Sequence, residues 1–353
     1  MLQIGLIAAA LGALTSLLVT FAVMRGAGRL GLVQQPNARS SHRVPTPGGG
    51  GLGIVAGGVV VAVPTALALP HVAVPVLLAG LLLALIGYWD DRRPIPARYR
   101  LGAHVLLTGA VVAIIPFEGL AASLPLPYAE LLLLLALTLA GALWINLFNF
   151  MDGIDGLAGS EAVFILLGSA FLAVLDYPQI IAYPPFWWML GLAAATLGFL
   201  VLNWPPARIF MGDVGSTYLG LMTAFFAMVG IVGQWFSPWQ WLILAALFLV
   251  DSLTTLLRRL LRRERVWQAH RSHAYQALQR RFGTHLKATG LYLGINLLLL
   301  WPAAWLAGQW PEQGWVATLL VYALLVPAAL LAGAGAPSEP EAHHEGASPD
   351  DGH

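Results

Sequence analysis

The sequence contains no cysteine and few charged residues, and both shortages restrict what the protein can be. Without cysteine the chain has no disulfide, no thiolate metal site and no cysteine nucleophile. Charged residues make up only 10% of the 353 positions, whereas 58% are hydrophobic, and the mean hydropathy is +0.76. This composition excludes a soluble domain of this length and predicts an integral membrane protein. The net charge of +1 gives no sign of a nucleic-acid partner, and we predict none.

Long apolar runs account for most of the chain. They predict an all-α polytopic protein, because each run is long enough to cross roughly 30 Å of hydrocarbon as a helix. We expect about eleven transmembrane helices, near 2–24, 49–69, 71–88, 101–117, 130–149, 158–176, 186–203, 214–235, 239–257, 288–308 and 314–334. The first run is too long for a signal-peptide core and lacks a basic region ahead of it, so we expect a retained helix.

The connections between the predicted helices fall into two sets by charge. All 18 Lys and Arg lie in or at the edge of the odd-numbered connections, and the even-numbered ones contain none. The positive-inside rule therefore places the odd-numbered connections in the cytoplasm, with the N-terminus outside and the C-terminus inside. We expect residues 1–334 to form the membrane domain. Residues 335–353, rich in Pro, Glu, Asp and His, are predicted to be a disordered cytoplasmic tail.

The densest polar stretch follows the fifth predicted helix. It reads Asn146-Leu-Phe-Asn149-Phe-Met-Asp152-Gly-Ile-Asp155-Gly. On a continuous helix, residues three apart drift by roughly 60° each, so these four side chains would not share one face. Gly153 and Gly156 predict that the helix breaks here and that the backbone brings both carboxylates to one point. The alternative is a polar turn between two helices.

Acidic residues recur at the ends of other predicted helices. The third helix ends in Asp90-Asp91-Arg92-Arg93, Asp213 begins the eighth, and Asp251 lies seven residues before Arg258, near the end of the ninth. Adjacent carboxylates repel each other and need a cation or a shared proton at a bilayer edge. Asp90 and Asp91 could instead form an interfacial pair neutralised by the two arginines. Asp213 could be a helix N-cap, and Asp251 could belong to a buried ion pair.

Basic and histidine side chains accompany these acids. Arg39 and His42 stand just ahead of a Gly-rich helix start, where backbone N–H groups and the helix dipole favour anions. The last cytoplasmic connection carries Ala269-His270-Arg271-Ser272-His273-Ala274-Tyr275-Gln276. His270 and His273 could be metal ligands, but phosphate contact suits them better because carboxylates are available for a hard cation. A surface that binds anionic lipid is the alternative for the arginines ahead of this motif.

Together these clusters predict one shared site on the cytoplasmic face. Carboxylates that hold Mg²⁺, with Arg and His for phosphates, are the usual side chains of phosphoryl transfer. In combination the motifs resemble the polyprenyl-phosphate N-acetylhexosamine-1-phosphate transferases of glycosyltransferase family 4. The resemblance covers roughly residues 30–280 and rests on Asp90-Asp91, Asn146 to Asp155, Phe210-Met-Gly-Asp213-Val-Gly-Ser216, Asp251 and the histidine-containing last loop. It implies transfer of a sugar 1-phosphate from a UDP-sugar to undecaprenyl phosphate, with release of UMP.

The resemblance also implies a role for each candidate residue. Asp213 would hold Mg²⁺, with Mn²⁺ as an alternative. Asp90 would deprotonate the lipid phosphate or attack the donor, while Asp91 and Asp155 would support the metal or the lipid phosphate. The substrate-binding residues would be Arg39, His42, Asn149, Asp152, Asp251, His270, Arg271 and His273, with Asn149 and Asp152 at the nucleotide. The oligomeric state stays open, a homodimer being one option.

The last loop bears on the donor. It departs from the His-rich form typical of the peptidoglycan enzyme and of the enterobacterial GlcNAc enzyme. Its sequence from His270 to Gln276 looks instead like the O-antigen branch, which uses N-acetylated 6-deoxyhexosamines. We therefore expect a UDP-N-acetylamino sugar as donor, in lipopolysaccharide-type biosynthesis.

A membrane transporter for an ion or small anionic substrate is the alternative function. Intramembrane acids and broken helices also mark transport paths. Against this alternative, the polar clusters crowd one face of the membrane rather than its midplane, and no repeat relates the two halves of the chain.

Overall fold

Helices form nearly all of the structure. The computed structural model describes residues 1–35, 44–122, 124, 126–265 and 270–337. Within these ranges the α-helices are α1 (Leu2–Leu30), α2 (Gly51–Ala68), α3 (Pro70–Arg92), α4 (Ala97–Val112), α5 (Glu118–Ala122), α6 (Ala129–Phe150), α7 (Leu157–Asp176), α8 (Pro184–Asn203), α9 (Asp213–Val232), α10 (Pro238–Leu244), α11 (Ala246–Leu261), α12 (Ala274–Phe282), α13 (His285–Ile295), α14 (Trp301–Gln309) and α15 (Gly314–Ala332). The predicted all-α class is confirmed.

The remaining elements are short. A π-helical turn, Asn296–Leu300, joins α13 to α14, and 3-10 helices occupy Pro178–Ala182 and Pro311–Gln313. Strands β1 (Val33–Gln34) and β2 (Thr46–Pro47) form an antiparallel pair, which is the only sheet in the described part of the chain.

The membrane-spanning helices are slightly fewer than predicted. Across the described residues, nine helices are long and apolar enough to cross a membrane. A tenth span results if α10 and α11, which meet at a bend of 72°, count as one. The run predicted at 101–117 forms α4, whose 16 residues reach only about 24 Å at 1.5 Å per residue. The polytopic membrane fold is therefore confirmed, and the shortness of α4 accounts for the difference in number.

Helix α9 lies at the centre of the bundle and is almost entirely buried. It packs against α2, α3, α6 and α7. Its Tyr218, Phe225 and Phe226 are fully enclosed, and Trp188 of α8 meets Phe226 edge-on, with ring centroids 5.6 Å apart. Because α9 begins at Asp213, the best-packed helix of the protein delivers that carboxylate to one end of the bundle.

Helices α1 and α2 approach each other through small residues. A Cβ atom on Gly57 would lie 2.6 Å from the carbonyl oxygen of Gly12, so the contact requires glycine. The spacing of Gly49, Gly53 and Gly57 predicts a close helix contact of this kind. This packing fixes the start of α2, which touches the segment that leads into α9.

Arginine side chains hold the C-terminal end of α15. Their guanidinium groups donate to main-chain carbonyls, from Arg258 to Ala334, from Arg262 to Gly335 and from Arg281 to Leu331. The N–H group of Gly335 donates to the carbonyl oxygen of Ser272 at 2.6 Å, within the last loop. Gly335, predicted as the start of a disordered tail, is therefore bonded to the membrane domain. The tail residues 338–353 lie outside the described residues.

Candidate active site

Described residues from all five odd-numbered connections meet at one end of the helix bundle and enclose a cavity of about 270 Å³. Its polar lining consists of four carboxylates and four amides, from Asp91, Asp152, Asp155, Asp213, Gln34, Asn149, Asn203 and Gln276. No lysine or arginine belongs to the lining formed by the described chain. The structure thus brings together motifs that lie as far apart in sequence as Asp91 and Gln276.

The helix breaks where Gly153 and Gly156 predict. Helix α6 ends before the Asp152–Asp155 segment, and α7 begins after it. Gly156 has a φ of +74°, a left-handed conformation that costs residues with a side chain about 1–2 kcal/mol. Asn203 fixes this turn: its Oδ1 accepts from the N–H of Gly156 at 3.0 Å, and its Nδ2 donates to the carbonyl of Ile209 at 2.9 Å. The connection from α8 to α9 therefore holds the acidic turn in place.

Asp91 caps the N-terminus of α9 from a neighbouring helix. Its Oδ1 accepts from the N–H of Asp213 at 2.9 Å, and its Oδ2 accepts from the N–H of Val214 at 3.3 Å. A carboxylate at this position satisfies two otherwise free donors and meets the positive end of the helix dipole. The capping role that the sequence left open for Asp213 thus belongs to Asp91.

Arg100 links Asp90 to Asp213. Its Nη1 lies 2.5 Å from Oδ2 of Asp90 and 2.9 Å from Oδ2 of Asp213. The N–H of Ile95 donates to the other oxygen of Asp90 at 2.5 Å. Arg100, rather than the adjacent arginines of α3, is therefore the cation that balances Asp90. Nothing in the sequence singles it out, because the positive-inside rule already accounts for every arginine on this face.

Asn149 and Asp155 also have defined partners. Nδ2 of Asn149 donates to Oδ1 of Asp213 at 2.9 Å and to Oγ of Ser216 at 2.8 Å, which leaves its Oδ1 as an acceptor. Oδ2 of Asp155 accepts from the N–H of Ala207 at 3.0 Å. Its Oδ1 lies 2.9 Å from Nδ1 of His285 on α13.

Asp152 has a different environment. Within the described chain its carboxylate makes no hydrogen bond and no ion pair, although it lines the cavity. Burial, together with the negative charges of Asp213, Asp91 and Asp155, raises its pKa well above the ordinary value. Four carboxylates without a cation in the lining make a cavity that attracts positive charge.

The donor set fits a hard divalent cation bound together with a phosphate ligand. No three Asp, Glu or His side chains of the described residues converge closely enough to form a complete metal cage. Mg²⁺ commonly binds through one or two carboxylates, with waters and substrate phosphates completing its octahedron. Asp152, Asp213 and the amide oxygen of Asn149 supply oxygen donors of the kind that Mg²⁺ prefers.

Asp251 lies outside the cavity and fixes the last loop. It is 2% exposed. Its oxygens accept from the N–H groups of Ala274 at 2.9 Å and Tyr275 at 3.0 Å, and Nδ1 of His273 lies 3.2 Å away. In the structure this carboxylate therefore binds the protein itself. The substrate contact expected of Asp251 stays a prediction.

The last loop docks on the end of α6. The hydroxyl of Tyr275 donates to the carbonyl of Phe150 at 3.0 Å, and the rings of His270 and His273 stack with centroids 4.9 Å apart. Nε2 of His273 is buried and has no hydrogen-bond partner among the described residues. Gln276 follows on α12 and reaches the cavity. The loop therefore lies beside the acidic turn.

The other basic residues predicted to bind substrate are less well defined. Arg271 lies in the last loop and outside the cavity lining, and its carbonyl accepts from Arg280 at 3.2 Å. Arg39 and His42 lie outside the described residues. At the Gly-rich start that follows them, Gly50 and Gly51 donate to main-chain carbonyls of the segment before Asp213, at 2.8 and 2.9 Å. These two N–H groups position the site and are not free for an anion.

Fold and site define an all-helical membrane protein with a carboxylate-lined cavity at the ends of its helices. Residues 73–231, which include Asp90, the acidic turn and Asp213, match the model of glycosyl transferase family 4. A relative at 34% identity aligns over 74% of its own length. The chain belongs to this family, that of the polyprenyl-phosphate N-acetylhexosamine-1-phosphate transferases.

Three relatives show the extent of the similarity. The decaprenyl-phosphate N-acetylglucosaminephosphotransferase of Mycobacterium tuberculosis is 37% identical over 240 residues, 61% of this chain and 58% of that protein. The protein of the same name from Mycolicibacterium smegmatis is 34% identical over 308 residues, 76% of this chain and 74% of that protein. The probable undecaprenyl-phosphate N-acetylglucosaminyl 1-phosphate transferase of Bacillus subtilis is 28% identical over 277 residues, 75% of this chain and 74% of that protein. This chain thus spans between about half and three quarters of their lengths.

Proposed function

We propose that the protein transfers N-acetylhexosamine 1-phosphate from a UDP-sugar to undecaprenyl phosphate and releases UMP. The reaction would take place at the cytoplasmic face of a bacterial plasma membrane, in O-antigen-type polysaccharide synthesis. The observation that carries this proposal is the cavity with four carboxylates and no cation in its described lining. Both substrates are anions, so such a cavity suits them only if a divalent cation binds with them. Family membership supports this choice over a transporter.

Mg²⁺ is the cation that we assign to this cavity, with Mn²⁺ as a substitute. Asp213, Asp152 and the amide oxygen of Asn149 would hold it. When bound, it would neutralise charge on the phosphates that must approach each other. Asp91 keeps Asp213 at the cavity by fixing the first turn of α9.

The reaction forms one P–O bond and breaks another. An oxygen of the lipid phosphate attacks the β-phosphorus of the UDP-sugar, and the bond from that phosphorus to the bridging oxygen breaks, so UMP leaves. A lipid phosphate is largely dianionic near pH 7, since its second pKa is about 6, and is a competent nucleophile without covalent help. Asp90 has both oxygens bonded, to Ile95 and Arg100, and would have to leave these partners to attack the donor. We therefore favour direct attack.

The order of chemistry has its own test. Radiolabelled UMP should exchange into UDP-sugar only when lipid phosphate or lipid-linked product is present. Strong exchange by delipidated protein, with a sugar-phosphate adduct trapped on Asp90, would establish the covalent route instead.

The remaining polar groups would bind the ends of the substrates. The Nδ1 contact with Asp251 orients the ring of His273, and we assign its Nε2 to a phosphate oxygen. His270, Arg271, Arg39 and His42 would add positive charge around the phosphates. Asn149 and Asp152 would contact the nucleotide as well as the cation.

A panel of UDP-sugars tests the proposal. Purified protein is supplied with undecaprenyl phosphate, Mg²⁺ and UDP-GlcNAc, a UDP-linked N-acetylated 6-deoxyhexosamine or UDP-MurNAc-pentapeptide, and UMP release is measured. We expect turnover of the simple UDP-N-acetylhexosamines, with the 6-deoxy donor ahead of UDP-GlcNAc because of the last loop. The names of the relatives favour N-acetylglucosamine, so the order of these two is the informative result. Preference for the pentapeptide donor, or substrate uptake into vesicles without UMP release, would contradict the proposal.

The cytoplasmic location is tested separately by labelling introduced cysteines, since the chain has none of its own. Cysteine at Gln313 should react with an impermeant reagent in intact cells, and cysteine at Arg98 or Gln279 should not. The reverse pattern would place the cavity outside.

A further inference from the structure

Helix α13 and the first residue of the π-helical turn after it carry a polar stripe, called the α13 stripe, that none of the proposed steps uses. His285, Thr289, Tyr292 and Asn296 follow at spacings of four, three and four residues, which places them on one helical face. The span that contains them, His285–Gln309, is otherwise apolar enough to cross a membrane. Polar side chains on such a helix are costly unless they face other protein groups. All four bond to other elements of the protein.

The first two residues of the stripe hold Asp155. Nδ1 of His285 lies 2.9 Å from Oδ1 of Asp155, and both side chains are largely buried, at 14% and 11% exposure. The hydroxyl of Thr289 donates to the carbonyl oxygen of Asp155 at 2.8 Å. Nδ1 of His285 also lies 3.2 Å from the backbone nitrogen of Asp155. The side chain and the main chain of this one cavity residue are therefore held by one turn of α13.

The next two residues hold parts of the protein behind the cavity. The hydroxyl of Tyr292 donates to Oδ2 of Asp251 at 2.8 Å, and Nδ2 of Asn296 donates to Oε2 of Glu161 at 2.6 Å. Asp251 fixes the histidine-containing loop, and Glu161 belongs to α7, which begins just after the acidic turn. The α13 stripe therefore bonds to the cavity wall, to the support of the last loop and to the helix between them.

His285 determines how the Asp155 carboxylate is turned. One oxygen of that carboxylate is bonded to the N–H of Ala207 and the other faces His285. Without the imidazole, the carboxylate would keep a single bond and could rotate about it. His285 itself does not line the cavity.

We propose that His285 is a positioning residue for the transfer reaction, acting through Asp155, and that the α13 stripe sets the distance between the acidic turn and the histidine-containing loop. This inference rests on the proposed function. It predicts that loss of the imidazole changes the rate through Asp155 alone, with little effect on how either substrate binds.

Substitutions of His285 distinguish a positioning role from a general effect on folding. The amide of Asn can occupy the place of Nδ1, whereas the amide of Gln reaches toward the place of Nε2. We expect His285→Ala and His285→Gln to lower kcat for UMP release by about tenfold or more, as loss of an outer-shell partner commonly does. His285→Asn should recover most of the rate, and KM for both substrates should stay near the wild-type value. His71→Ala, an exposed histidine at the opposite end of α3, is the matched control.

A double-mutant cycle tests whether the effect passes through Asp155. If it does, the double variant with Asp155→Asn and His285→Ala is no slower than Asp155→Asn alone. Wild-type kcat in His285→Ala, equal rates for the Asn and Gln variants, or additive losses in the double variant would overturn the inference.

Backbone hydrogen exchange gives a result that does not depend on turnover. Exchange in residues 152–157 should be faster than wild type in His285→Ala and His285→Gln, and near wild type in His285→Asn and His71→Ala. If wild-type protein releases no UMP, the proposed function fails while this measurement still tests the positioning role. Unchanged exchange in folded His285→Gln would overturn that role, even if His285→Ala does not fold.

Discussion

Asp152 and Asp251 are two acids at the same end of the bundle with opposite surroundings. Asp251 has five donors around its two oxygens, from Thr255, His273, Ala274, Tyr275 and Tyr292. Asp152 has none within the described chain and faces three other carboxylates across a cavity. A buried acid whose oxygens are all bonded is held by the protein. An acid without partners among like charges is left for a ligand, and we propose that this ligand is a cation.

We expect removal of the divalent cation to have the largest effect, and to act at the cavity rather than around Asp251. We expect chelation with EDTA to abolish UMP release and added Mg²⁺ or Mn²⁺ to restore it, because the cavity has no cation of its own in its described lining. The structure around Asp251 should be unaffected, since its donors are protein groups. Near-UV circular dichroism before and after chelation checks this. Full activity in EDTA would show that the cavity carboxylates serve another purpose.

Removing the buried acid should damage stability. Asp251→Ala removes the acceptor that five donors share, and breaking such a buried polar cluster costs about 3–5 kcal/mol. A large fall in Tm and in the yield of folded protein is therefore expected, measured by thermal unfolding in detergent. Asp176→Ala, at the exposed far end of α7, is the control and should unfold near the wild-type temperature. A stable Asp251→Ala variant with normal turnover would remove the distinction between the two acids.

Ligand binding should stabilise the cavity side of the molecule. Mg²⁺ at a hundred times its Kd, with UDP-sugar present, should raise the free energy of unfolding by about 2.7 kcal/mol. Asp213→Asn should lose most of this increment, whereas Asp176→Asn should keep it. Equal stabilisation of both variants would place the cation elsewhere.

The smallest effect is expected in the turn that carries Asp152. Gly156 adopts a left-handed conformation, and Gly156→Ala should cost about 1–2 kcal/mol of stability. The Tm should fall by a few degrees and turnover should fall with it, because Asp155 precedes the strained position. A neutral result would mean that the backbone can relax there without moving the acids.

The sequence was sufficient to predict the fold class and much of the site. Apolar runs predict the helices, Gly153 and Gly156 predict the break after α6, and the charge asymmetry of the connections predicts which motifs meet. The α13 stripe is also present in the sequence, since His285, Thr289, Tyr292 and Asn296 repeat at helical spacing in an apolar span. The spacing predicts a shared face, but it does not show which groups these side chains contact.

Other features depend on packing that local sequence does not encode. Asp91 caps α9 only because the end of α3 meets the start of α9, although the two lie more than a hundred residues apart in sequence. The pairing of Arg100 with both Asp90 and Asp213 follows from the same contact. Asp213 and Asp251 read alike in sequence, and only their partners in the structure separate a cavity acid from a buried one.

The rate of UMP release by Asp152→Asn, beside Asp176→Asn and the wild type, tests most directly whether transfer occurs at this cavity, with undecaprenyl phosphate, UDP-N-acetylhexosamine and saturating Mg²⁺ supplied. We expect a fall of about 10²–10³-fold, comparable to the loss of one preorganised hydrogen-bond donor from an active site. The Tm should be equal to or above that of the wild type, because one of four repelling carboxylates is gone. A folded Asp152→Asn protein that releases UMP at the wild-type rate would contradict the claim that this cavity is where transfer occurs.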